Sequence, residues 1–148
     1  MAESYTQNGL DLLYNATFRA GTQLANFYVG LFVSATPTTC PASTASGVSF
    51  GWTQMTASTG TYAVQQVIGA SIPSAVDVGA SARGSTWPQV TFTGFTSSSP
   101  ANGFVVLSGS VASTASPLFF ANFDSGASRA LVTVADTLAV TPATRGTP

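Results

Sequence analysis

From Asn26 to Val140 the apolar residues come in short runs rich in aromatic and β-branched side chains, separated by clusters of Ser, Thr, Gly and Pro. That punctuation favours strands over helices. Asn26-Phe27-Tyr28-Val29-Gly30-Leu31-Phe32-Val33 is a continuous apolar run and predicts a central strand. Thr36-Pro37 ends it, and residues 37–49 predict a loop. Phe50 to Thr56 predicts a short strand, and Tyr62 to Ile68 a better one. Residues 73–86 predict a long irregular connection. Val90-Thr91-Phe92-Thr93 alternates, the mark of one buried and one wet face. Pro100-Ala101-Asn102-Gly103 has turn chemistry and precedes the run Phe104 to Ser108. Leu118 to Phe123, Arg129 to Val134 and Leu138 to Val140 complete the series, with Asp124-Ser125-Gly126 as a turn.

Seven or eight strands at near-even spacing predict an all-β fold, a mainly antiparallel β-sandwich or a jelly-roll-like arrangement. The intervals lack the helices that parallel crossovers require. One segment departs from this pattern. Leu10, Leu13, Tyr14 and Phe18 keep an approximate 3.6-residue spacing, Asn8 or Gly9 can cap the start, and Gly21 follows the last periodic residue. A short N-terminal helix over residues 9–19 is expected. At 148 residues the chain has room for one domain, so residues 1–20 read as an N-terminal segment and 21–148 as a single β-sandwich domain.

Charge narrows the function classes. Only 6% of residues are charged, against about 25% in ordinary soluble domains. There is no Lys and no His; the acids are Glu3, Asp11, Asp77, Asp124 and Asp136, and the bases Arg19, Arg83, Arg129 and Arg145. Residues 20–76 and 84–123 carry no charge at all. Polar surface must come largely from the 19 Ser and 21 Thr. A neutral, hydroxyl-coated β protein has this composition, and so does a subunit whose surface is covered by neighbours. Edge strands favour the second, because soluble sandwiches usually guard their edges with Lys, other charges or Pro. Most of the expected strands here have no charge, so either loops and the N-terminal segment hide the edges or a partner covers them.

Catalysis finds little material. A Ser or Cys nucleophile needs a base beside it, and neither His nor Lys is present. The acids are isolated in sequence, so no metal site and no cofactor site is expected; Asp124 or Asp136 with backbone oxygens is the one conceivable calcium arrangement. As a carboxylate pair the same two residues are better explained by turns. No catalytic residue is assigned. Four scattered Arg do not make a basic stripe for nucleic acid. The most apolar window, Ala25 to Ala35, has 11 residues, about half a membrane span. Met1-Ala2-Glu3-Ser4 lacks the basic start and apolar run of a signal peptide, so synthesis in the cytoplasm is expected and the sequon Asn15-Ala16-Thr17 carries no meaning. Cys40, the single cysteine, lies in a loop context and has no internal partner. The rings of Trp52, Tyr62 and Trp87 are either core or a flat contact for a partner or a sugar, with Trp87-Pro88 the best placed for an exposed contact.

Several motifs together resemble the small virion proteins of tailed bacteriophages. They are the short helix ending near Phe18, Tyr28-Val29-Gly30-Leu31-Phe32 followed by Thr36-Pro37, and Tyr62 opening a strand. Then come Trp87-Pro88-Gln89-Val90-Thr91-Phe92-Thr93-Gly94-Phe95, Leu118-Phe119-Phe120-Ala121-Asn122-Phe123-Asp124 and Ala135-Asp136-Thr137-Leu138. The resemblance spans nearly the whole chain and implies a β-sandwich of the capsid decoration (cement) type. It implies binding to the major capsid protein on the outer head surface, as a non-enzymatic homo-oligomer made in the host cytoplasm, with neither nucleic acid nor membrane as partner. A trimer is expected from shell symmetry. The expected contact residues are Leu10, Leu13, Tyr14 and Phe18 in the N-terminal segment, with Trp52, Tyr62 and Trp87. Similar chains serve in tails or fibres, which leaves a receptor- or glycan-binding module as the alternative.

Overall fold

The computed structural model describes residues 3–5, 9, 23–33, 55, 62–79, 82–95, 99–110, 115–123, 129–131 and 135–146. Among these the fold is all-β, and every strand pairing is antiparallel. Twelve strands run in chain order: β1 Glu3–Tyr5, β2 Asn26–Phe32, β3 Gln65–Ile68, β4 Val76–Asp77, β5 Arg83–Thr86, β6 Val90–Phe92, β7 Ser99–Ala101, β8 Gly103–Leu107, β9 Pro117–Asn122, β10 Arg129–Leu131, β11 Leu138–Val140 and β12 Ala143–Gly146. The largest unit is a five-stranded sheet in the order β1-β9-β8-β2-β3. The apolar run that predicts a central strand does become an interior one, between β8 and β3. A 3-10 turn, Gly69–Ser71, follows β3. The helix expected over residues 9–19 lies outside the described residues apart from Gly9.

Why this sheet forms follows from its side chains. All five residues of β8, Gly-Phe-Val-Val-Leu, are buried, so the strand is apolar without alternation because both of its faces are covered. On one face Val29, Leu31, Val67, Phe104, Val106, Phe119 and Ala121 pack against Trp87, Val90, Phe92, Phe95 and Val140. The opposite face buries Phe32, Val105, Leu107 and Phe120, with Tyr28 and Val64 half-buried at its margin. Within β6, Val90 and Phe92 are buried and Thr91 is exposed, as the alternation predicts.

The layer that covers the first face is a kinked pair of strands. β5 pairs with β12 and β6 with β11, and between them Trp87 donates its N–H to the Pro142 carbonyl at 2.8 Å. Pro88 and Pro142 supply the break, since neither can donate to a ladder. β4 adds to the outside of β5, giving the order β12-β5-β4. The stretch 73–86, expected to be irregular, therefore contains a hairpin, with Gly79 at φ +86° in its turn. The turn expected at Pro100 to Gly103 is also absent. Pro100 sits on β7, exposed and paired with Ala130, where a missing donor costs nothing, and Asn102 leads directly into β8.

Gly103 shows how tightly the sheet is assembled. Its cross-strand partner is Phe32, and a Cβ at position 103 would overlap both the Phe32 ring and the Ala121 carbonyl oxygen. The aromatic ring fills the space that the glycine leaves.

Candidate interaction edge

Tyr62 and Trp87, two residues singled out as contact candidates, are inside the core. Tyr62 is 4% exposed, and its ring stacks at 5.6 Å from Phe92 and 6.2 Å from Phe95. Its hydroxyl accepts the Leu31 N–H at 2.8 Å. The phenol thus completes the ladder where β3 has ended, while the Leu31 carbonyl accepts the Met55 N–H at 2.7 Å. Trp87 is 8% exposed and meets Phe27 at 5.1 Å and Phe119 at 5.3 Å, both edge to face. The Trp87-Pro88 exposure expected from the sequence gives way to burial, because the kink that Pro88 helps to make turns the indole inward between two sheet aromatics. Neither ring offers a flat surface to a sugar. Leu10, Leu13, Tyr14, Phe18 and Trp52 lie outside the described residues, as do Cys40 and Asp124. Among the described residues no group of three or more acids, Cys and His could hold a metal ion.

The surface is distinctive instead at the sheet edges. At one end of the five-stranded sheet, β1 pairs with β9 over Glu3↔Ala121, Ser4↔Phe120 and Tyr5↔Phe119. Gly9 is buried further along, so close that a Cβ would overlap the Leu118 carbonyl oxygen. At the other end β3 is outermost, and among the described residues no strand pairs with its outer side. Gln66 is exposed and Ile68 is 58% exposed, one of the few large apolar side chains in that state. Among the described residues Val76 at 59% and Val78 at 45% are the others, on or beside β4.

Charges stand on three of the outer strands of the two larger sheets. The five-stranded sheet ends in β1 and β3, and the three-stranded sheet in β12 and β4. β1 carries Glu3, β4 carries Asp77 and β12 carries Arg145. A charge on an edge resists pairing with another chain, because the approaching strand would have to desolvate it. β3 carries no charge and no proline. Of these four edges it alone is unguarded.

The connection between β3 and β4 is held in place. Ser85 donates its hydroxyl to the Pro73 carbonyl at 2.6 Å, and Arg83 donates through Nη2 to the Ala75 carbonyl at 2.5 Å. Asp77 Oδ1 accepts the Gly79 N–H at 2.8 Å, closing the hairpin turn. Val76 stands opposite Gly84, which has no side chain to cover it. What the arrangement offers is an exposed strand edge without charge. The sequence contains the signal for this, since residues 20–76 have no charge, but not the pairing order that puts β3 on the outside.

No protein-family model matches the chain, and no curated protein matches it.

Proposed function

We propose that this chain is a non-enzymatic structural protein of a tailed-phage virion, a decoration subunit that binds the outer face of the major capsid protein shell and stabilises it. The observation that carries the reading is the unguarded edge. A protein with nine charged residues places three of them on three of the four outer strands of its two larger sheets and leaves β3 bare, with Ile68 58% exposed. A subunit that works alone gains nothing from such an edge and risks aggregation. One that works between neighbours buries it. Repeated contacts of about 1,000 Å² or more around a shell supply stability that no single contact gives.

The glycan-binding alternative rests on exposed rings, and the burial of Tyr62 and Trp87 removes two of its three candidates. The decoration reading is tested by counting copies of this chain against the major capsid protein in purified virions, using quantitative mass spectrometry. The expected result is a copy number in simple proportion to the shell lattice. A handful per particle would move the protein to the tail or fibre, and absence from the particle would end the virion reading.

A further inference from the structure

The outer side of β3 is complementary to itself. Gly69 donates its N–H to the Ala25 carbonyl at 2.8 Å, which fixes the alternation of the ladder. Gln65 and Val67 turn their backbone groups toward β2, and Gln66 and Ile68 turn theirs away. Gln66 thus presents both N–H and C=O to the outside, and Ile68 presents its N–H. The Ile68 carbonyl already accepts the Ser71 hydroxyl at 2.6 Å. Two such strands brought together antiparallel, about a two-fold axis at Gln66, exchange Gln66 N–H to Gln66 C=O bonds in both directions. The same register sets Ile68 of one copy opposite Val64 of the other, on one face of the sheet. The exposed isoleucine then gains an apolar neighbour, and a half-buried valine is covered.

We infer that the chain pairs with a second copy of itself through β3, joining two five-stranded sheets into one across a two-fold axis. Three observations favour a second copy over a different partner. The edge has no charge with which to select a charged partner. The net charge of −1 opposes self-association only weakly. The joined sheet would end in β1 at both sides, each bearing Glu3, so pairing closes at two copies and does not grow into a fibre. The inference uses the same β3 edge as the virion reading but requires no capsid, and its two-fold symmetry differs from the trimer expected from shell geometry. With only four residues in β3, the contact belongs to the weak, concentration-dependent class.

The test uses the full chain at rising concentration. Analytical ultracentrifugation should show single copies passing to pairs, and Ile68→Lys should abolish that dependence while the far-ultraviolet circular dichroism stays unchanged. A second measurement reads the register. In a Cys40→Ser background, Gln66→Cys should be trapped as a disulfide-linked pair, since opposed residues of a hydrogen-bonded pair lie about 5.5 Å apart between Cα atoms. Asp77→Cys should not be trapped. A wild-type chain that stays single at every concentration, with no Gln66→Cys disulfide, would overturn the inference. So would three-copy particles, or pairs indifferent to Ile68→Lys.

Discussion

The two ends of the five-stranded sheet face the same problem and meet it differently. At the β9 end the chain uses its own N-terminal residues, with Glu3–Tyr5 hydrogen-bonded along the strand and Gly9 pressed against the Leu118 backbone. At the β3 end nothing among the described residues completes the ladder, and Ile68 stands 58% exposed. Both ends stop at an outermost strand, and the first of them, β1, contains Glu3. The second is β3, whose outer side has no strand partner among the described residues and has an exposed apolar side chain beside it. With charge so scarce, β3 is the one outer strand of the two larger sheets that has none.

The largest test removes what both ends share. The Trp87 ring touches Phe27 on β2, next to β3, and Phe119 on β9, next to β1. Trp87→Ala should cost about 3–5 kcal/mol in chemical denaturation. It should loosen both ends together. A loss confined to one end would show that the sheet is not one cooperative unit.

Smaller changes should separate the ends. Gly9→Ala forces a methyl group into the Leu118 carbonyl and should cost about 1–3 kcal/mol. It should also bare the β9 edge, seen as faster aggregation on light scattering. Tyr62→Phe keeps the stacked ring but removes the acceptor for the Leu31 N–H, and about 1–2 kcal/mol should be lost in the same denaturation measurement. Ile68→Lys should change the stability of a single copy by less than about 0.5 kcal/mol, because the position is exposed. That variant should differ from wild type only where copies meet.

How much of this was legible in the sequence depends on where a strand sits. β2, β6, β8 and β9 announce themselves, because strands that line the core must be apolar or must alternate. β1, β4 and β12 do not. They are short and polar, and Glu3-Ser4-Tyr5 or Ala143-Thr144-Arg145-Gly146 becomes a strand only because a distant partner offers its edge. Local propensity has no access to that partner. The same limit explains Trp87. Beside a proline after an uncertain stretch it reads as exposed, and only the pairing of β5 and β6 with β12 and β11 turns it inward. The lack of charge over residues 20–76 was legible from the start. Which strand would be left outermost was not, since that depends on strand order.

The most direct test of the account is amide hydrogen exchange of the full chain, followed residue by residue by NMR at low and high concentration. In dilute solution the account predicts protection at Gln65, Val67 and Phe120, with fast exchange at Gln66 and Ile68. Those two should become protected as concentration rises. Slow exchange at Gln66 and Ile68 in the dilute single copy would mean that the chain covers β3 itself, and the contrast between the two ends would fall.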